Sequence, residues 1–257
     1  MALRSVSDPL APLVGLPGVA DAVARARDAL VAVHNHAVNR RGWAATAAEA
    51  SLRAARASAA LDGAPIEPAR TGPDDDETTV TDPVLAGAVR VAEESGRMLG
   101  VWRTSPLQAL ARLHVVAASD LVPGERRDAE LGRPANSAGV SARLSLLADL
   151  VTGATTVPAP VLVAVVHGEL LALAPFPSAN GVVARAAARL TAVAVGLDPK
   201  GLAVPEVGHL RRAQEYRTAA AGFAAGTTDG LATWIVHCCA QWEAGATEGL
   251  SIAEART

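Results

Sequence analysis

Residues 167–190 read HGELLALAPFPSANGVVARAAARL, a run unlike the Ala-rich helical sequence on either side of it. An apolar helix enters and meets Pro175, Phe176 and Pro177, which must interrupt it. Ser178 is the residue type that N-caps a second helix, with Asn180 and Gly181 in its first turn and Arg185 one turn further on. A proline-broken helix, a loop, and small residues at a new helix start make an anion corner. The first backbone N–H groups of the second helix are unpaired there, and the helix dipole favours negative charge. Arg185 is placed to add a guanidinium for a phosphate. The same arrangement also serves as a plain corner between two helices with no ligand.

Outward from this segment the chain reads as all-α. Periodic stretches are built from Ala, Leu, Arg and Glu, which are strong helix formers, and alternating runs of β-branched and aromatic residues are scarce. The pattern predicts helices over 18–38, 44–61, 83–101, 105–120, 139–152, 159–173, 179–195, 208–225 and 228–245. Asp82 before Pro83 and Ser105 before Pro106 are N-cap and first-turn signals, and Gly63, Gly153, Gly196 and Gly226 mark stops. Residues 63–82 hold three prolines and the acidic run Asp74, Asp75, Asp76 and Glu77. Without the alternating ligands and turn glycine of a calcium loop, they read as a solvated connector. Residues 122–139 read as a second helix-free segment.

The 257 residues suit one domain with a sizeable core. Twenty-three basic residues against 26 acidic ones, a net charge of −3, give no electrostatic reason to expect nucleic acid or an anionic membrane as partner. The Arg and Ala bias reflects a GC-rich coding sequence, and Lys200 is the single lysine. Adjacent Cys238 and Cys239 cannot reach ordinary disulfide geometry and make no zinc site, so two buried thiols in a reduced compartment are expected. Asp8 and three prolines interrupt the N-terminus where a signal peptide needs an apolar run, and the most apolar stretch, 157–176, is broken by His167, Glu169 and prolines. The expectation is a cytoplasmic globular protein.

The motif at 174–185 resembles the signature of Fic (Fido-fold) proteins, H-P-F-x-(D/E)-G-N-G-R-x-x-R. Pro175, Phe176, Asn180, Gly181 and Arg185 match it. Ala174 stands at the signature's His, Ser178 at its acid, Ala179 at its first Gly and Val182 at its first Arg. His167 lies seven residues ahead of the motif, as a His often does in that family. SAALDG, with Ser58, Asp62 and Gly63, is similar to the family's autoinhibitory pattern (S/T)-x-x-x-E-(G/N), with Asp for Glu. That resemblance implies that Asp62 pairs with Arg185. Residues 110–121 resemble the helix ahead of the family's flap, and 216–239 its C-terminal helices. The implied organisation is one helical domain over 1–257, with a helical extension at 1–43 and a Fic-like core at 44–245.

What the resemblance implies for chemistry is set by the departures. The family's His is the general base that deprotonates a target hydroxyl as it attacks a nucleotide phosphate, and Ala174 has nothing to titrate. His167 is two turns back, about 10.5 Å along the helix, so it does not replace that base and reads as a satisfied buried His. Ser178 is a poor sole ligand for a hard cation, so no metal site is expected. The six residues 134–139 are too few for the family's β-hairpin flap, which should be shortened or absent.

The expectation is a non-catalytic Fic-like protein with a binding or regulatory role towards a protein partner. Ser178, Asn180, Gly181 and Arg185 form its anion or nucleotide corner, and ATP or another nucleotide is the ligand implied. Two other readings stay open: a Fic-fold transferase with relocated groups among Ser178, His167, Glu169 and Arg185, or a structural helical assembly. For the latter, Trp234, Cys238, Gln241 and Trp242 share one helical face that is either a buried stripe or a homo-oligomer contact. His34, Asn35 and His36 point apart on a helix and bind no metal together. They read as an exposed helix end with Arg40 and Arg41 in its last turn.

Overall fold

The computed structural model describes residues 8–66 and 82–255. In chain order the helices are α1 (Ala11–Val14), α2 (Val19–Asn35), α3 (Ala37–Arg41), α4 (Trp43–Leu61), α5 (Pro83–Thr104), α6 (Pro106–Ala118), α7 (Arg127–Glu130), α8 (Ala138–Asp149), α9 (Ala159–Leu173), α10 (Asn180–Ala194), α11 (Pro205–Arg211), α12 (Ala213–Ala225) and α13 (Thr228–Glu254). A 3₁₀ turn (Gly124–Arg126) precedes α7, and a widened π turn (Leu150–Ala154) follows α8. The described residues contain no strand, so the all-α expectation holds and no flap hairpin is present among them.

The centre of the bundle is the pair α9 and α10, which pack against each other and are both largely buried. The sequence of α9 is apolar on nearly every side, and the helix is buried from Pro160 to Gly168, the expected fate of a helix without a polar face. Gly168 is required there: a Cβ would strike the Trp234 indole and the Phe223 ring. That close approach lets the Trp234 indole N–H donate to the Ala164 carbonyl at 2.7 Å, fixing α13 on α9. One apolar cluster joins α10 to α5, α6 and α8 around Trp102, Leu113 and Leu170. A second joins α9 to α2, α12 and α13 around Leu30, Phe223, Trp234 and Ile235. The segment ahead of residue 44 is built into this core, because α2 lies along α13.

Several elements differ from the sequence expectation. The first helix stops at Asn35, since His36 adopts extended backbone angles and the Asn39 amide takes the Val33 carbonyl at 2.9 Å. His34 is not part of an exposed end, because it bonds Asp198 at 2.8 Å. The helix read over 208–225 starts earlier, with Pro205 at its first position, and is divided at Arg212, whose angles leave the helical region. The last helix continues past 245 to Glu254. Residues 122–139 are not helix-free, since the 3₁₀ turn and α7 fall within them. Trp234 and Trp242 are both buried inside the chain, which removes that face as a homo-oligomer contact. Cys238 and Cys239 are buried free thiols. The acidic run at 74–77 lies outside the described residues.

Candidate functional site

The loop between α9 and α10 is held by two left-handed alanines. Ala174 closes α9 with φ 41°, and Ala179 precedes α10 with φ 55°. A Cβ makes this conformation cost about 1–2 kcal/mol per residue, so the surroundings must enforce it. Asn180 is the main clamp: its side-chain carbonyl accepts from the Phe176 N–H at 2.9 Å, and its amide donates to the Phe176 carbonyl at 2.7 Å. The Phe176 ring stacks on His114 of α6 at 4.2 Å, nearly parallel. The Ala135 N–H, from the short segment ahead of α8, donates to the Pro175 carbonyl at 2.8 Å.

Ser178 does not N-cap α10. The left-handed Ala179 takes the cap position, which leaves Ser178 one residue too early, and the Ser178 hydroxyl is buried without a partner among the described residues. His114 was not singled out by sequence reasoning. Its Nδ1 accepts from the Gly132 N–H at 2.9 Å, so its proton sits on Nε2. Burial pulls its pKa down to about 4, opposed by the nearby Ser178 backbone.

Arg185 lies on the first half of α10 and is only 3% exposed. Its guanidinium donates to the Ser58 hydroxyl (2.8 Å), the Ser58 carbonyl (2.9 Å) and the Tyr216 hydroxyl (3.3 Å), and Nη2 pairs with Asp62 at 2.8 Å. Asp62 is the C-cap of α4, and its carboxylate lies against Gly181 so closely that a Cβ there would collide with it. The chain's own carboxylate thus sits at the first turn of α10, where an anion is most stabilised. The structure brings together Asn180, Gly181, Arg185 and Asp62, with Ser178 and Ala174 on the adjoining loop.

The other groups considered for chemistry are engaged elsewhere. Glu169 makes a bidentate pair with Arg143 at 2.6 and 2.8 Å. His167 Nε2 is 2.9 Å from the Tyr216 hydroxyl. That hydroxyl also accepts from Arg185, so it bridges the guanidinium and the imidazole. Burial, then Arg185 and His237, hold the pKa of His167 well down, while burial pushes Tyr216 up to about 12. His209 and His237 extend this cluster through a 3.1 Å ring contact. No group of acidic, His or Cys side chains among the described residues is arranged to hold a metal ion. Tyr216 and His114 had no local signal, since each reaches the corner from a distant helix.

This arrangement of helices is the Fic fold. No protein-family model matches the sequence, and no curated protein matches it. Solved structures do. A Fic family protein from Desulfovibrio desulfuricans G20 superposes with a TM-score of 0.70 at 17% identity, over 91% of this chain and 74% of that one. Fic-1 from C. elegans superposes with a TM-score of 0.65 at 15% identity, over 93% and 74%. A single-substitution form of Fic-1 gives 0.61 at 16%, over 91% and 71%. No helix among the described residues is long and apolar enough to cross a membrane.

Proposed function

We propose that this chain is a Fic-fold protein that transfers no AMP and acts by binding, with a phosphate-type corner held shut by Asp62. The observation that carries this reading is Ala174, an exposed methyl at the helix end where the Fic signature has its general base. The titratable groups nearby are engaged elsewhere: His114 is stacked and buried, His167 is bonded to Tyr216, and Glu169 is bonded to Arg143. A base needs hydrogen-bond reach to the proton it takes. The corner keeps the helix start and Arg185, so it remains suited to a nucleotide phosphate once Asp62 withdraws. Displacing Asp62 would free the end of α4, which a protein partner can read.

The test is calorimetric titration with ATP, with and without magnesium, on the unmodified protein, Asp62→Ala and Arg185→Ala, beside an assay for AMP transfer onto added protein. ATP should bind Asp62→Ala at least tenfold more tightly than the unmodified chain. It should not bind Arg185→Ala, and no AMP should be transferred. Transfer by the unmodified chain overturns the reading, as does equal ATP affinity in all three proteins.

A further inference from the structure

A cavity of about 250 Å³ lies between α4, α5 and α10, away from the α9–α10 loop. Its walls follow one face of each helix: Trp43 to Ser58 on α4, Ala88 to Leu99 on α5, and Val182 to Val193 on α10. Fifteen residues of α4 rise about 22 Å, so the space is a long, narrow slot. Small side chains open it, and Gly96, exposed at its rim, has no heavy atom within 4 Å of where its Cβ would be. A slot of this shape suits an extended alkyl chain better than a ring system.

Four charged residues border the slot, and their pairing fixes what its ligand carries. Arg185, at the inner end, is balanced by Asp62. Arg189 is balanced by Glu206 at 3.3 Å and also donates to the Ala203 carbonyl. Lys200, half-buried beside Pro199 and Gly201, donates once, to the Asn39 carbonyl at 3.0 Å, and has no carboxylate partner among the described residues. An ammonium has three donors, so two of its hydrogens are unassigned. The slot is mostly apolar, interrupted by Ser51, Ser58, Ser95 and two balanced ion pairs, with Lys200 its one charge lacking a counter-ion among the described residues. We infer that it binds a single-chain carboxylate of the fatty-acid type, with the alkyl chain along α4 and the carboxylate on Lys200. This site adjoins the closed anion corner, because Ser58 and Arg185 line its inner end, while Lys200 lies outside that corner.

The experiment is calorimetric titration of the full chain with octanoate, decanoate and laurate below their micelle concentrations, with dodecanol as the neutral control. Each added methylene should tighten binding about fourfold while the slot fills. Lys200→Met should weaken laurate about tenfold or more and leave dodecanol unchanged, with Lys200→Arg restoring the carboxylate preference. Gly96→Leu adds a side chain at the rim of the slot, narrowing its mouth, and is a better helix former than glycine. It should keep the melting temperature yet lose laurate at least tenfold. Absence of binding, affinity independent of chain length, equal loss of laurate and dodecanol in Lys200→Met, or full laurate binding by Gly96→Leu each overturns the inference.

Discussion

Ala179 holds a φ of 55° at the position where the Fic signature places its first glycine. The backbone has kept a glycine conformation under a residue with a Cβ, and the Asn180 clamp on Phe176 enforces it. Relief of that strain should outweigh the extra chain entropy of glycine. Ala179→Gly is expected to stabilise the protein by about 0.5–1 kcal/mol, raising the melting temperature by about 2–3 °C. A lower melting temperature would mean that the Ala179 methyl packs usefully against its neighbours. Ala174 is the complementary case. It is left-handed too, but exposed, and what its identity removes is a titratable group.

The contact between α4 and α10 rests on one residue pair and its escorts. Ser58 and Asp62, one turn apart at the end of α4, both bind Arg185, so the guanidinium ties the last turn of one helix to the first turns of another. Removing one partner of a buried pair strands the other charge, at about 3–5 kcal/mol when both are dry. The Asp62 side chain is 26% exposed, and Ser58 and Tyr216 still solvate Arg185, so Asp62→Ala should cost less, about 1–2 kcal/mol. Arg185→Ala should cost more, because it also leaves the pocket around Ser58 and Tyr216 empty. Thermal melts of the two variants check this order, and an unchanged melting temperature for Asp62→Ala would show that the pair does not hold α4 in place.

Among the described residues, burial lowers the pKa of four histidines, the deeply placed His114, His167 and His209 and the less buried His237. His114 lies in one core, with its pKa lowered to about 4, and His167 and His209 lie beside Tyr216 and Trp234 in the other. Burial is the main cause for each. Around the latter two, the charges of Arg185 and His237 and, for His209, of His167 push the same way. Each group has a folded pKa below its usual value of 6.5, so the unfolded chain takes up protons first as pH falls. Stability should be full above about pH 6.5 and decline from there towards pH 4. Melting temperatures across pH 4–8 should show this decline, and His209→Phe should flatten it. A flat profile in the unmodified protein would show that these four histidines do not gain protons on unfolding in this range.

The helical class, the break at Pro175–Pro177 and the small-residue start of α10 were legible in the sequence, because they follow from propensity, periodicity and proline sterics within a few residues. The Asp62–Arg185 pair was legible only through the resemblance of two short motifs. What those residues do was decided by tertiary packing. Ser178 lost its capping role to the left-handed Ala179, and Asn180 became a clamp for Phe176. The Trp234 and Trp242 face, open to either reading from its spacing, was buried when α2, α9 and α12 closed around α13. Tyr216, His114 and Lys200 acquired their surroundings in the same way. Each meets partners far away in the chain, and local sequence carries no record of which distant side chain fills a gap, pairs a charge or leaves one unpaired.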